Sequence, residues 1–400
     1  MAHKPRLEKK VAHSILSDKS QKVALTHQEV LDEAMTRLTE EINLSCPEGA
    51  EYGAEELWGV LLYAAAHQTT IQQACRALDK TPHPNTVRGA LTPLPLSQVE
   101  PALNELLTDT WPKHLLHKSL EIAIDLKLVP YYGEVPPGEK DFLLSGPARR
   151  GTTTFFGYAS IYVIKNNKRF TLALAALRRS EGLDGVLRRL LQRFADLDGR
   201  IKCLYLDRQF YSVRVLRFVI EERDLPLVMA ARKAGQTGGI KGLIARKGPG
   251  SHTYTVRSQQ DGQITLQIAV VGKYLKGRWG KHGRVRYAYV VHRFPFALSS
   301  LFDKYRSHFG IESSHRLWEE GRGRTASRCA VLRRLLVGLA VLLHNLWVFL
   351  KWDMVSWPRR GGRRVFHNLF PFRQLRFFLC EALEELFGVV CHVVIPGPPD

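Results

Sequence analysis

A chain of 400 residues, 45% of them hydrophobic, has room for one large domain with a smaller module and can build a full core without crosslinks. Lys+Arg number 58 against 38 Asp+Glu, a net charge of +20 and a pI near 9.8, which favours a polyanionic partner over a neutral one. Six cysteines (Cys46, Cys75, Cys203, Cys329, Cys380 and Cys391) form no Cys-x-x-Cys pair or Cys/His cluster, and residues 1–20 lack an apolar stretch, so structural zinc and secretion are not expected and the chain reads as cytoplasmic.

Helical periodicity runs over residues 26–44 and stops at Cys46-Pro47-Glu48-Gly49, and a second helix is expected over 54–67. Residues 69–78, a break at 79–84 and a short helix over 85–91 have the shape of a helix-turn-helix. Asn85 would cap its second helix, and Thr86 and Arg88 lie where base edges and phosphates are reached, although an ordinary helical hairpin fits the same pattern. The proline-rich stretch 93–101 reads as a linker that closes an all-helical DNA-binding region over 1–98.

Residues 119–129 alternate, with Ile122, Ile124, Leu126 and Leu128 on one face and Glu121, Ala123, Asp125 and Lys127 on the other. Strands over 153–164 and 169–176 are expected to join at an Asn166-Asn167 turn, followed by a helix over 183–197. The run 201–207 reads as a buried strand ending in Asp207, then a helix over 212–223 and a strand over 227–230. The Gly- and Lys-rich stretch 235–250 lacks P-loop spacing and reads as a loop; 253–291 alternates as added strands, so that 231–299 forms a loop and β insertion. A helix over 301–320 closes the region.

Three acidic residues on these elements, Asp125, Asp207 and Glu312, suit phosphodiester chemistry, which two divalent ions held by oxygen ligands can carry out. On a continuous helix Tyr305, His308, Glu312, Arg316 and Glu319 share one arc, offering phosphate-holding groups beside a carboxylate; a solvated face with a Glu312–Arg316 pair is the plainer alternative. The order of elements, a strand with Asp125, hairpin strands, helix, a strand ending in Asp207, helix, strand, insertion and a helix with Glu312, is that of a ribonuclease-H-like α/β catalytic domain with a β-rich insertion.

Several segments resemble the DDE transposases of prokaryotic insertion sequences, in the branch with a strand-rich insertion before the glutamate helix. They are Ala123-Ile124-Asp125 with Pro130-Tyr131-Tyr132-Gly133, the stretch 151–159, Leu206-Asp207-Arg208-Gln209-Phe210-Tyr211-Ser212, residues 305–316 and His344-Asn345-Leu346-Trp347. The resemblance covers about the last two-thirds of the chain. It implies that Asp125, Asp207 and Glu312 bind two Mg²⁺ ions, with Mn²⁺ a possible substitute, and that water or a 3′-hydroxyl attacks DNA phosphates in line. It also implies double-stranded DNA partners, terminal inverted repeats and target, and a homodimer on paired ends. In that family the glutamate helix carries tyrosine, arginine, glutamate and lysine in order. Here Tyr305 and Glu312 match, while His308 and Glu319 stand at the arginine and lysine positions, and Arg306, Arg316, Arg322 or Arg324 are candidates to supply the missing charge.

Lys127 and Arg208 beside the aspartates, and Arg149-Arg150, are further candidate DNA contacts or simple charge partners and loop residues. The apolar run 335–350 is short for a bilayer span and is interrupted by His344 and Asn345, so it reads as a buried helix rather than a membrane segment. The catalytic domain then spans 99–353, and 354–400 forms a basic helical tail in which Arg359-Arg360 and Arg363-Arg364 interleave with Trp357 and Phe366. The competing readings are a hydrolytic nuclease with the same carboxylates, a DNA-binding protein that has lost catalysis, and a membrane-associated protein.

Overall fold

A computed structural model describes residues 24–42, 44, 50–111, 118–134, 137–165, 169–233, 238–277, 283–308, 310–360 and 362–392, with the side chains of 137, 275 and 311–313 outside the description. The Asn166-Asn167 turn therefore lies outside the described residues.

Five helices come first: α1 (His27–Glu41), α2 (Ala54–Ala66), α3 (Ile71–Ala77), α4 (Pro84–Leu91) and α5 (Leu96–Asp109). Thr26 caps α1, accepting from Glu29 N at 3.2 Å while the Glu29 carboxylate accepts from Thr26 N at 2.8 Å. α4 begins one residue earlier than expected. His83, not Asn85, is its cap, because Pro84 supplies a preset φ and lacks the N–H that a first-turn residue leaves unused. The stretch read as a linker holds the start of α5. Pro95 is its cap residue, and Pro101 is tolerated inside the helix because Val99, Leu103, Leu106 and Leu107 all bury one face.

The strands are β1 (Ser119–Tyr131), β2 (Leu143–Arg149), β3 (Thr152–Val163), β4 (Thr171–Ala176), β5 (Arg200–Leu206), β6 (Leu227–Ala230), β7 (Gly250–Ser258), β8 (Gly262–Leu275) and β9 (Gly283–His292). Between them lie α6 (Leu183–Asp196), α7 (Val213–Arg217), which runs on into a π turn over Phe218–Glu222, and α8 (Gly239–Arg246). These nine described strands form one mixed sheet in the order β2-β3-β1-β5-β6-β9-β8-β7, with β4 also paired to β3. β1, β5 and β6 are parallel, and β3 is antiparallel to both β1 and β4. The strands of the insertion continue this sheet, since β9 pairs antiparallel with β6. α8 replaces part of the expected 235–250 loop, anchored by buried Ile240.

The expected helix over 301–320 is two helices, α9 (Leu301–Ser307) and α10 (Gly310–Glu320). His308 N donates to Tyr305 O at 3.2 Å, an i to i−3 bond that tightens and ends α9. Gly310 then passes so close to the sheet that a Cβ there would meet Arg169 Nη1 at 2.8 Å and Tyr162 Oη at 3.3 Å. Tyr305 and His308 consequently do not share a continuous helical arc with positions 312, 316 and 319.

α11 (Ala330–Asp353), the hairpin of β10 (Ser356–Arg359) and β11 (Gly362–Val365), and α12 (Phe372–Phe387) complete the chain, so the tail expected to be helical contains a β-hairpin as well. α11 holds the apolar run; 83% of its most apolar window is buried within the protein. The largest core cluster joins α1, α2 and α5 to α11, α12 and Val129, Tyr131, Phe156, Tyr158 and Leu174 of the sheet. A second cluster covers the sheet face of Ile122, Ile124, Leu204 and Leu206 with α6 and α7. The opposite face carries Ala123, Tyr205, Val228 and Tyr289 under Leu301 and Tyr305 of α9.

Candidate active site

Asp125 and Asp207 come together through strand register. Ile124 pairs with Leu206 in the parallel β1–β5 ladder, and both side chains enter the same core cluster. Asp125 is the next residue on β1 and Asp207 the first residue past the end of β5, so the ladder brings the two to neighbouring positions, and both charges act on the same Tyr305 hydroxyl. Asp207 keeps extended backbone (φ −74°, ψ 160°) just past the end of β5 and is half-buried. The Asp125 carboxylate accepts from Leu126 N at 2.8 Å.

Tyr305 of α9 is buried above this pair and donates from its hydroxyl to Leu206 O at 3.4 Å. Its ring packs against Tyr289 and His308, with centroids 4.8 Å and 4.2 Å away. Burial raises the Tyr305 hydroxyl pKa, and the negative charges of Asp207 and Asp125 push it the same way, so it stays a neutral donor beside both carboxylates.

α10 crosses β1 on the same face. His315 Nδ1 lies 3.6 Å from Asp125 Oδ2, and its Nε2 lies 3.3 Å from the hydroxyl of Ser160, the residue opposite Asp125 on β3. Burial brings the His315 pKa down to about 3, with Lys127 adding to the shift, so the ring is neutral near pH 7. One turn further, Glu319 reaches Lys127 at 3.3 Å and Arg322 at 3.0 Å. Burial opposes ionisation of Glu319, yet Arg322 and Lys127 outweigh it and the pKa is lowered. Glu319 thus draws one lysine from β1 and an arginine from beyond α10.

Glu312 sits in the first turn of α10, one turn before His315, and its side chain lies outside the described residues. Among the described residues, no group of three or more His, Cys, Asp or Glu has the arrangement of a metal site. Asp125 and Asp207 nonetheless offer oxygen donors at neighbouring positions, the donor type that Mg²⁺ selects, next to a histidine held neutral.

Two of the residues expected to contact DNA are sealed in the core. Tyr305 and His308 are 4% and 3% exposed, and His308 Nδ1 turns inward to Tyr305 O, so neither is presented to a phosphate. Arg306, Arg316 and Arg208 are exposed, and Lys127 is engaged by Glu319. Thr86 is exposed on α4, and Arg88 donates to Asn85 Oδ1 at 3.1 Å. A groove of about 1070 Å³ runs beside these helices, lined by Gln72, Arg76, His83 and Thr86 among others. His315 was not anticipated; its only sequence signal is its spacing of three from Glu312, which puts both on one side of a helix.

No protein-family model and no curated protein matches this chain. Among solved structures it is similar to a piggyBac transposase synaptic complex with hairpin DNA determined by cryo-electron microscopy, with a TM-score of 0.50, 11% identity, and coverage of 90% of this chain and 77% of that one. At this identity the likeness is one of fold, and the mixed α/β architecture described here is similar to that of a transposase.

Proposed function

We propose that this chain is a DDE transposase of the insertion-sequence type, with a ribonuclease-H-like catalytic domain, that cleaves DNA strands and transfers them to a target. The observation that supports the reading is that Asp125 on β1 and Asp207, just past the end of the parallel neighbour β5, follow paired residues of the ladder, while α10, which bears Glu312, crosses β1. The order β4-β3-β1-β5-β6, with β3 alone antiparallel, supports the ribonuclease-H-like assignment. The fold likeness to a transposase bound to DNA supports the substrate class.

In this reading Asp125, Asp207 and Glu312 hold divalent ions. When bound, these ions would activate the attacking oxygen and stabilise the leaving oxygen of an in-line displacement. Tyr305 donates to the backbone before Asp207 and so holds the end of β5, while His315, hydrogen-bonded to Ser160 of β3, stands beside Asp125. Exposed Arg208, Arg306 and Arg316 supply the positive rim for phosphates in place of the buried His308. Thr86 and Arg88 serve recognition of the element ends, and the protein acts as a homodimer on paired ends in the cytoplasm, at the nucleoid.

Purified protein incubated with the inverted repeats that flank its coding region should nick them in Mg²⁺ or Mn²⁺ and join the freed 3′ end to a second duplex. Asp125→Asn and Asp207→Asn should each reduce nicking by about a thousandfold or more while end binding persists. Cleavage without joining would instead identify a hydrolytic nuclease. End binding with no nicking in either metal would identify a DNA-binding protein that has lost catalysis, the reading that His308 and Glu319 motivate.

A further inference from the structure

The β10–β11 hairpin presents two unlike faces. Directly paired residues and residues two apart on a strand share a face, and the register pairs Trp357 with Arg364, Arg359 with Gly362, Pro358 with Arg363 and Ser356 with Val365. One face is tied to the protein: Arg363 Nε donates to the Ser356 hydroxyl at 2.6 Å and Arg363 Nη2 to Asp353 O at 2.9 Å. The other face makes no hydrogen bond or ion pair among the described residues, and Arg364 lies over the Phe366 ring. It carries Trp357, 72% exposed, with Arg359 and Arg364, and exposed Arg360 follows in the turn.

No ion pair engages Arg359, Arg360 or Arg364 among the described residues. Between Asp353 and Glu381 the sequence carries six arginines and no aspartate or glutamate. An indole left in water beside three uncompensated guanidinium groups is chemically suited to a partner with flat apolar faces and regular negative charge. Unpaired nucleic acid has both, since any base offers a π-face and every linkage a phosphate.

The platform lies away from the carboxylates. Arg334 of α11 bonds Leu174 O and Asn345 bonds Thr171, so α11 runs opposite to β4 and therefore opposite to β1. Its C-terminal end, with the hairpin, lies towards the start of the parallel strands, whereas Asp207 follows the end of β5.

We infer that the β10–β11 hairpin is a binding platform for single-stranded DNA, with an unstacked base on Trp357 and phosphates on Arg359, Arg360 and Arg364. The choice of DNA rests on the function proposed above; the platform itself does not depend on the carboxylates.

Fluorescence anisotropy of the full chain with a labelled mixed-sequence single strand, the matching duplex and the matching RNA strand tests it, with circular dichroism to check each variant's fold. Trp357→Ala should weaken single-strand DNA binding about fivefold or more, and Trp357→Phe should restore most of it. Joint replacement of Arg359 and Arg364 by alanine should flatten the dependence of log affinity on log salt by about 1.4. The loss on Trp357→Ala should be the same size in the Asp125→Asn background, so loss of cleavage and loss of this contact are separable. The inference is overturned if Trp357→Ala binds the single strand like the parent, if only RNA is bound, or if the substitutions affect binding to phosphatidylglycerol vesicles and not to DNA.

Discussion

His315 is the residue on which the geometry of the proposed site most depends after the carboxylates themselves. It touches Asp125 through one ring nitrogen and Ser160 through the other, so it ties together α10, β1 and β3. Groups in this position orient a ligand rather than bind the metal, and their loss typically costs about 10- to 100-fold in metal affinity or activity. His315→Phe should keep the packing against Trp318 and release Asp125, lowering cleavage by that factor and raising the Mg²⁺ concentration needed for half-maximal rate. An unchanged Mg²⁺ dependence would limit His315 to packing. The Lys127–Glu319 pair gives a second test at this scale. Exchanging the two residues puts lysine at position 319, as the resembling family has it, while keeping the pair, at 25% and 32% exposure. Each single charge change should reduce cleavage, and the double exchange should recover it by a coupling of about 1 kcal/mol, a factor of about five. Strict additivity of the two single effects would show that the pair does not act as a unit.

Among the elements, α11 joins the two halves of the molecule through polar contacts in an apolar helix. Asn345 accepts from Thr171 N at 2.9 Å and donates to Thr171 O at 2.8 Å, which satisfies the backbone at the start of β4. Its neighbour His344 is buried between Trp347 and Phe372, and burial lowers its pKa to about 3, with Lys351 and Arg169 pushing the same way. The unfolded imidazole, with its ordinary pKa of about 6.5, takes up a proton before the folded one does. Stability is therefore whole above pH ~6.5 and lost as pH falls towards 3, by up to about 1.4 kcal/mol per pH unit from this group. Melting temperatures taken at about pH 7.5 and about pH 5 should differ more for the parent than for His344→Leu, and equal differences would remove His344 from the account.

The same scale shows what the sequence could reveal about these elements. The strands β1, β5 and β6 were readable because alternation or a short apolar run has a period of its own. The break between α9 and α10 was not, since it depends on Gly310 approaching Arg169 and Tyr162 from another part of the chain. β2 was missed because Gly146 and Pro147 interrupt its pattern, and it is a strand through its pairing with β3. α5 was misread because its prolines mimic a linker, while the face it buries against α11 and β4 is visible only after folding. Asp125 and Asp207 were legible as strand acids, but His315 acquires meaning only from the packing of α10 on β1.

At the scale of the whole molecule, the first and last described helices stabilise one another. α12 packs on α1 and α2, where Tyr63 donates to Glu384 at 2.9 Å and His27 meets Glu385 at 2.8 Å. The turn between α3 and α4 is bonded to the last residue of α12 and the one after it, with Lys80 N donating to Phe387 O at 2.9 Å and Asp79 N to Gly388 O at 3.2 Å. The candidate DNA-recognition helices thus depend on a segment some 300 residues later in the chain. Gly59 of α2 is where this dependence can be tested with a single atom group, because a Cβ at that position would overlap the Phe387 ring. Gly59→Val should push α12 off α2 at a cost of about 2 kcal/mol or more. Since the core is shared, the urea transition followed by tryptophan fluorescence and by circular dichroism should shift together. Affinity for element ends should fall in the same variant even though Thr86 and Arg88 are untouched. Two separated transitions, with only the first moved by Gly59→Val and cleavage of the repeats retained, would mean that the helical region folds on its own and the later chain merely rests against it.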